Sequence, residues 1–276
     1  MPNEMPRPPL RFGVITDIHF SLEKSVAAKE ELCRCLDAWH RRDVDLLLQL
    51  GDLVNGEHAE GEDELREISA VFKEFRGEIR HVLGNHCLAV PRPKLLATLA
   101  LQAPFYAFSI AGFRFVALDG MDVSVLRQPE TAVDAELLDH FRAHPELHDY
   151  CGAVGSQQKA WLKRELEAAE RAGKRVVVLS HLPLLPETTN ERYGLLWNHQ
   201  EIMALLAASP AVTLCLSGHY HHGGYARHHG IHCVVLPAFV NRHEHPDFSG
   251  GTVELFPNKM VLRNQHGAVF LDLPLR

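Results

Sequence analysis

Short apolar runs recur along the chain, and segments with helical periodicity separate them. The runs Val44 to Leu50 and Arg175 to Leu179 are nearly continuous, which is typical of strands that are buried on both faces. The segment from about Glu23 to Arg42 instead carries its apolar residues at helical spacing. Strands that alternate with helices in this way predict an α/β layered fold.

Antiparallel pairing is predicted in two parts of the chain. The runs Phe105 to Ile110 and Phe113 to Leu118 flank Ala111 and Gly112, a pattern that predicts a tight hairpin. From Ile231 onward, short runs alternate and turn like an antiparallel sheet, so we expect a mixed sheet or a second sheet packed on the first. Further helices are predicted from about Asp63 to Phe75, from Ala135 to Ala143, from the N-cap Ser156 to the stop at Gly173, and from about Trp197 to Ala207.

Polar residues of metal-ligating type follow five of the strand-like runs. Because ligands bind at the carboxyl ends of the strands in open α/β sheets, we expect these residues to gather in one cleft. Each also has a plainer explanation: Asp17 can cap a helix, Asn85 can form a turn, and His181 can be a core histidine. One shared binding site explains the whole set better than a separate structural role for each residue. The set comprises Asp17 with His19, Asp52, Asn85 with His86, His181, and His219 with His221.

The residue types in this set indicate a chemistry. Carboxylate oxygens and imidazole nitrogens without cysteine suit Mn²⁺, Fe, Zn²⁺ or Co²⁺. Two such ions about 3.5–4 Å apart need a bridging carboxylate, and together they can hold a phosphoester for in-line attack by a metal-activated hydroxide. His86 is placed to offer a proton or a positive charge to the leaving oxygen. The sequence therefore predicts a centre for two divalent metal ions.

Composition argues against several other classes of protein. The chain has 276 residues, 46% of them hydrophobic, and no obvious linker, so we expect a single domain over residues 1–276. The formal net charge of −7 argues against a nucleic-acid-binding protein and is compatible with a small anionic substrate only where positive charge is supplied locally. No apolar run approaches the roughly 20 residues of a membrane span. The N-terminus lacks an apolar signal core, and the six cysteines form no CxxC pair, which predicts reduced thiols in a cytoplasmic protein. The oligomeric state stays open.

The order of the motifs resembles one known family. DIH, GDLVN, GNH, SH and GHYH, spread over residues 17 to 221, are similar to the DxH, GDxx[DN], GNH[DE], single His and GHxH signature of the calcineurin-like metallophosphoesterases. The resemblance implies a four-layer sandwich of two mixed β-sheets flanked by helices. It also implies a role for each residue: Asp17, His19 and His221 for the first metal, Asn85, His181 and His219 for the second, Asp52 as the bridge, and His86 beside the phosphate and the leaving group.

Longer segments resemble the manganese-dependent ADP-ribose/CDP-alcohol diphosphatases within that family. This resemblance implies Mn²⁺ as the metal and hydrolysis of the pyrophosphate bond in ADP-ribose, CDP-alcohols or similar small nucleotides. Two positions depart from the pattern. His19 stands where this subgroup can carry glutamine, and Cys87 replaces the usual acid after GNH, which bears on the orientation and basicity of His86. The segments that carry the resemblance to these diphosphatases are FRFVALDGMDVSVL (113–126), GSQQKAWLKREL (155–166), SHLPLLPE (180–187), LLWNHQEIMALL (195–206) and SGHYHHGGY (217–225).

Other activities on the same metal core stay open. A cyclic-nucleotide phosphodiesterase or a broad-specificity phosphatase has the same ligands, and a metal-binding scaffold without turnover is a third alternative.

Trp197 is a candidate for substrate binding and equally for a core anchor of its helix, and His222 has no predicted metal role. The residues expected on the substrate side are Asn85, His86, Trp197, Asn198 and Tyr225.

Overall fold

The computed structural model describes residues 9–57, 60–144 and 146–276. These residues form two mixed β-sheets of six strands each. The strands are β1 (Leu10–Ile15), β2 (Leu46–Gln49), β3 (Glu78–His81), β4 (Tyr106–Ile110), β5 (Phe113–Ala117), β6 (Arg175–Leu179), β7 (Val212–Ser217), β8 (Gly224–His228), β9 (Ile231–Val235), β10 (Gly251–Phe256), β11 (Lys259–Asn264) and β12 (Val269–Pro274).

Each sheet contains a set of neighbouring strands that run parallel. The first sheet has the order β12-β11-β10-β1-β2-β3, and β1, β2 and β3 are parallel neighbours. The second sheet has the order β4-β5-β6-β7-β9-β8. In it, β6 pairs in parallel with β5 and with β7, and β7 also pairs in parallel with β9. The carboxyl ends of these parallel strands therefore lie along one edge of each sheet.

Helices cover the outer face of both sheets. They are α1 (Ser25–His40), α2 (Gly61–Phe72), α3 (Arg92–Thr98), α4 (Ala132–Arg142), α5 (Ser156–Arg171) and α6 (His199–Ala208). The apolar faces of α1, α2 and α3 pack in a cluster with the first sheet, and those of α4, α5 and α6 pack in a cluster with the second. A third apolar cluster fills the space between the sheets. This four-layer arrangement confirms the predicted sandwich.

The layers explain why the strands that are covered on both faces are mostly apolar. Alternate side chains of a strand point to opposite faces. Val176 and Val178 of β6 face the helices, whereas Val177 and Leu179 face the other sheet. Each such side chain stabilises the fold by about 1.5–3 kcal/mol when fully buried. The prediction that β2 and β6 are buried on both faces is confirmed.

The strands after Ile231 do not form one antiparallel sheet, and that prediction is wrong. β9 pairs in parallel with β7 and antiparallel with β8, so it belongs to the second sheet. β10, β11 and β12 form an antiparallel extension of the first sheet next to β1. An alternating pattern identifies a strand but does not identify its partner, because the partner is set by how the whole chain packs.

The start of α5 also differs from the sequence prediction. Ser156 is the first residue of the helix and not its N-cap. The carboxylate of Asp134 accepts a hydrogen bond from the Ser156 N–H at 2.8 Å, and the carboxylate of Asp122 accepts one from the Gly155 N–H at 3.0 Å. Side chains from elsewhere in the chain therefore satisfy the free N–H groups that a local cap would satisfy. The short helix α3 was not predicted, since it spans only about two turns.

Among the described residues, no helix is both long enough and apolar enough to cross a membrane. Residues 1–8, which include most of the N-terminal stretch predicted to lack a signal, lie outside the described residues.

Candidate metal centre

The polar residues that follow five of the parallel strands meet at one edge of the sandwich. Asp17, Asp52 and Asn85 follow β1, β2 and β3 of the first sheet, and His181 and His219 follow β6 and β7 of the second. Because the two sheets pack face to face, the ends of these strands lie close together. The ligand atoms of Asp52, His181 and His219, which come from both sheets, are all within 4.8 Å of one another.

Four residues of the cluster have left-handed backbone conformations. The φ angle is 51° at Asp17, 43° at His19, 50° at Asp52 and 66° at His219. Such conformations cost about 1–3 kcal/mol each in residues other than glycine. The ends of β1 and β2 hold each other in place, since the Asp17 N–H donates to the Gly51 carbonyl at 3.0 Å and the His19 N–H donates to the Asp52 carbonyl at 3.0 Å. Backbone strain is thus concentrated where the ligand atoms converge.

Glycine precedes two candidate ligands of the first sheet, Asp52 and Asn85, at positions where a side chain would collide with the cluster. A Cβ atom at Gly51 would lie 2.3 Å from Nδ1 of His181. A Cβ atom at Gly84 would lie 2.2 Å from Oδ1 of Asp52. The glycines of the GDLVN and GNH motifs therefore allow the strand ends to approach each other.

Gly84→Ala is expected to lower the affinity for Mn²⁺ by about 10- to 100-fold, the effect typical of disturbing the groups that orient metal ligands. The new methyl group would displace Asp52, because it would lie 2.6 Å from the Asp52 backbone nitrogen as well. Isothermal titration calorimetry with Mn²⁺ measures the change, and circular dichroism checks that the variant is folded. Gly120→Ala is the matched control, since its nearest new contact is Leu182 Cδ1 at 3.3 Å. Unchanged Mn²⁺ affinity in Gly84→Ala would contradict this steric role.

The first group of candidate ligands surrounds one oxygen of Asp17. This side chain is fully buried, and its Oδ2 accepts hydrogen bonds from the Thr16 hydroxyl at 2.6 Å and the His219 N–H at 2.9 Å. Its Oδ1 has no hydrogen-bond donor among the described residues. Nε2 of His19 lies 3.7 Å from this oxygen, and Nε2 of His221 lies 3.6 Å from it. A buried carboxylate oxygen without a donor and with two imidazoles around it is suited to a cation.

The second group surrounds Nε2 of His181. This atom lies 3.2 Å from Oδ2 of Asp52 and 3.2 Å from Oδ1 of Asn85. Nδ1 of His219 is 3.3 Å away from it. Oδ2 of Asp52 also lies 3.6 Å from Nε2 of His19, which belongs to the first group. Asp52 therefore lies between the two groups.

Backbone carbonyls fix the protonated nitrogen of two imidazoles in the second group. Nδ1 of His181 lies 2.9 Å from the Leu50 carbonyl, and Nε2 of His219 lies 2.8 Å from the Tyr193 carbonyl. A carbonyl oxygen only accepts hydrogen bonds, so the nitrogen that contacts it carries the proton. When the rings are neutral, the opposite nitrogens have lone pairs that face the cluster, which is the arrangement that metal-binding histidines use.

The charges of the cluster depend on one another. Burial would raise the pKa of both carboxyl groups and is the largest single influence, but His181 and the other neighbouring imidazoles together outweigh it. The pKa of Asp17 therefore falls to about 2, and the pKa of Asp52 lies well below its ordinary value. Burial lowers the pKa of His181, but Asp52 and Asp17 raise it to about 9. Burial and the neighbouring His181 lower the pKa of His219 to about 4. A proton on His181 thus balances two buried carboxylates, a charge that a metal ion can replace.

This donor set fits a pair of divalent cations. Carboxylate, amide and imidazole lone pairs converge in a buried space, and no thiolate is among the candidate ligands. Such a mixed set of oxygen and nitrogen donors suits Mn²⁺, Fe, Zn²⁺ or Co²⁺. Asp52 could contact both ions. The residues that could hold one ion are Asp17, His19 and His221, and those that could hold the other are Asn85, His181 and His219.

His86 is held by the Asn55 carbonyl and the Asp52 carboxylate and not by the residue that follows it. Its Nδ1 donates to the Asn55 carbonyl at 2.6 Å, and its N–H donates to Oδ1 of Asp52 at 2.9 Å. Cys87 is buried in the apolar cluster on the helix side of the first sheet, and burial raises the pKa of its thiol to about 11. The replacement of the usual acid by Cys87 therefore leaves the His86 ring held by Asn55.

A cleft of about 270 Å³ lies over the cluster. Asn85 and His86, both expected on the substrate side, line it. Tyr150, Arg192 and Tyr193 also line it, although the sequence analysis missed them. These three residues lie in loops without a recognised motif. The one signal available in the sequence was the adjacent pair of a charged and an aromatic residue, Arg192 and Tyr193, just before the segment at 195–206.

The structure does not bring the other expected substrate residues into the cleft. The Asn198 amide donates to the Val154 carbonyl at 2.9 Å and accepts from the Val154 N–H at 3.0 Å, so it connects two loops. Tyr225 lies on β8, where its hydroxyl contacts Nδ1 of His232 at 2.9 Å. Trp197 is buried in the core on the helix side of the second sheet and lines a cavity next to the cleft. Sequence spacing alone does not show which way such loop side chains point.

A two-sheet sandwich with paired ligand groups at the carboxyl edge of its strands defines a dinuclear metallohydrolase. Residues 10–223 match the calcineurin-like phosphoesterase family. The chain belongs to this family, whose members use two metal ions, and it is a metal-dependent phosphoester hydrolase.

Similar proteins cover nearly the whole chain. A manganese-dependent ADP-ribose/CDP-alcohol diphosphatase of Arabidopsis thaliana is 29% identical over 93% of this chain and 94% of its own. A protein of the same name from Mus musculus is 26% identical over 96% of this chain and 93% of its own. The crystal structure of a dimetal phosphatase from Danio rerio aligns with a TM-score of 0.86 and 23% identity, covering 98% of this chain and 100% of that one. The last comparison shows that the two chains share a fold.

Proposed function

We propose that the protein hydrolyses the pyrophosphate bond of a small nucleotide derivative, such as ADP-ribose or a CDP-alcohol, with two Mn²⁺ ions as its cofactor. The observation that carries the proposal is the pair of buried ligand groups joined by Asp52 beneath an open cleft. Relatives that align with most of this chain have manganese and these substrates in their names, which supports the choice of metal and substrate.

In this proposal, Asp52 would help to hold both metal ions, because its Oδ2 lies between His19 of one ligand group and His181 of the other. The ions, when bound, supply Lewis acidity and lower the pKa of a water molecule. The chain supplies the fixed positions of the ligands through the left-handed backbone at the strand ends and the carbonyls that orient the imidazoles. The proposed ligands are Asp17, His19 and His221 for one ion and Asn85, His181 and His219 for the other.

His86 is proposed to assist the leaving group. Water adds to one phosphorus, the P–O–P bond breaks, and the bridging oxygen leaves on the other phosphorus as part of a phosphate monoester. One product is therefore a nucleoside monophosphate. Nδ1 of His86 is committed to the Asn55 carbonyl, so Nε2 is the nitrogen that can contact the phosphate or donate a proton to the leaving oxygen.

A cavity of about 850 Å³ next to the cleft offers room for the organic part of such a substrate. Cys151 lines this cavity, and its Sγ lies 3.8 Å from Nε2 of His219. The described lining residues include Glu146 and Glu191 but neither lysine nor arginine. The cavity is therefore better suited to a neutral or cationic group than to a phosphate.

The proposal is tested by incubating the Mn²⁺-loaded protein separately with ADP-ribose, CDP-choline, cyclic AMP and p-nitrophenyl phosphate. We expect ADP-ribose or CDP-choline to be cleaved fastest, with a nucleoside monophosphate as product on chromatography. Removing the metal with EDTA is expected to abolish the hydrolysis, and added Mn²⁺ is expected to restore it.

The other outcomes identify the rival functions. Hydrolysis confined to cyclic AMP would replace the proposal with a cyclic-nucleotide phosphodiesterase, and hydrolysis confined to p-nitrophenyl phosphate would replace it with a phosphomonoesterase.

A further inference from the structure

Arg192 gives the cleft a permanent positive charge on one side. Among the described residues that line the cleft, Arg192 is the only lysine or arginine. Glu191, its neighbour in the chain, lines the adjacent cavity instead. The side chain of Arg192 is exposed, so packing of the core does not require an arginine at this position. Arg192 is also not one of the candidate metal ligands.

The backbone at Arg192 is tied to the wall of the cleft. The Tyr150 hydroxyl donates to the Arg192 carbonyl. The next carbonyl, that of Tyr193, accepts from Nε2 of His219 at 2.8 Å. The side chain of Arg192 thus starts from a fixed point beside the candidate metal ligands.

The guanidinium of Arg192 lies beside the Tyr193 ring, which in turn neighbours the ring of the candidate ligand His221. Its central carbon is 5.8 Å from the centroid of the Tyr193 ring, and that centroid is 5.3 Å from the centroid of the His221 ring. Within the ranges that the structure describes, Arg192 forms no ion pair. Its charge is therefore available to an anion in the cleft.

The other side of the cluster is acidic. A pocket of about 230 Å³ lies there, and it shares His19 with the cleft. Negative charge around this pocket disfavours a second phosphate on that side. The charged residues that line it are Glu23, Lys24, Glu57, Glu60 and Glu64.

We propose that Arg192 binds the phosphate that is not attacked and thereby makes the enzyme selective for diphosphates over substrates with one phosphate. The proposal rests on the proposed function. In a diphosphate that is esterified at both ends, each phosphorus carries one negative charge. The metal ligands serve the attacked phosphate, and the guanidinium of Arg192 can bind the other with paired N–H···O hydrogen bonds.

The test compares Arg192→Gln, Arg192→Lys and the wild type on a substrate with two phosphates, ADP-ribose, and one with a single phosphate, bis(p-nitrophenyl) phosphate. Arg192→Gln is expected to raise KM for ADP-ribose by about 10- to 100-fold, the loss of a hydrogen bond to a charged group. Its kcat/KM for bis(p-nitrophenyl) phosphate and its Mn²⁺ content are expected to stay at the wild-type values. Arg192→Lys, which keeps the charge, should recover part of the loss, and the exposed control Arg227→Gln should behave like the wild type.

An equal loss on both substrates, or no loss on ADP-ribose, would overturn the proposal. A second measurement is independent of turnover: calorimetric affinities of the Mn²⁺-loaded protein for AMP and for α,β-methylene-ADP, which carries a second phosphate. The wild type is expected to prefer the diphosphate, and Arg192→Gln is expected to lose that preference. If the preference is lost in Arg192→Gln while ADP-ribose and CDP-choline are not cleaved, Arg192 keeps its role and the proposed function fails. If Arg192→Gln keeps the preference, the role of Arg192 is wrong.

Discussion

Replacing Asp52 with alanine is expected to lower kcat/KM by about 10³-fold or more, because removing one electrostatic group from an active site can cost that much and this variant is also expected to lose the metal ions. The expected effect is large because Oδ2 of Asp52 lies 3.6 Å from Nε2 of His19 and 3.2 Å from Nε2 of His181, between the two ligand groups. Metal analysis after dialysis should show loss of both ions. Stopped-time assays with the preferred substrate measure the rate.

Two further variants separate metal loss from misfolding. Asp52→Asn keeps an oxygen that can accept from the His86 N–H, as Oδ1 of Asp52 does at 2.9 Å, but it removes the negative charge. It is expected to remain folded and still to lose metal and activity. Asp139→Ala, an exposed carboxylate on α4, should have neither effect. Full activity in Asp52→Ala would refute the assignment of two metals to this cluster.

His86→Asn is expected to reduce kcat by about 10²- to 10⁴-fold, the usual contribution of a general acid or base. Its Mn²⁺ content is expected to remain unchanged, because the proposed ligand sets do not include it. If His86 assists the leaving group, the loss should grow with the basicity of that group. A series of aryl phosphodiesters with increasingly basic phenolates measures this trend as a steeper dependence of log kcat on leaving-group pKa.

His222→Asn is the matched control for His86, since His222 is exposed and contacts His245 at 3.2 Å outside the cleft. It should have wild-type kinetics and metal content. An identical loss for all leaving groups in His86→Asn would show that His86 only positions the phosphate, and loss of one metal equivalent would make it a ligand.

Much of the fold could be predicted from local patterns. The runs in β2 and β6 are almost entirely apolar because helices cover one face of each strand and the other sheet covers the second. A strand in that environment has no position where a polar side chain reaches water, so its burial is visible in the sequence. The partner of β9 was not visible, since parallel pairing with β7 and antiparallel pairing with β8 need the same apolar residues.

The candidate site shows the same division. Gly51 and Gly84 leave a trace in the sequence, because the space beside His181 and Asp52 admits no side chain. Arg192 and its neighbours leave no comparable trace, because a loop side chain in a cleft and one in solvent differ only in where the loop is placed. The same limit explains why Asn198 and Tyr225 were expected in the cleft and are found elsewhere.

The sequence by itself determined the residue types of the metal centre and their place directly after strands, because the required atoms and the glycines beside them are local features. Only the tertiary structure decided that strand ends from two different sheets meet, that Asp52 lies between His19 and His181, and that the carbonyl of Asn55 orients His86. The physical reason is that these contacts join segments far apart in the chain. Their distances depend on how the sheets pack, which the pattern of a single segment does not record.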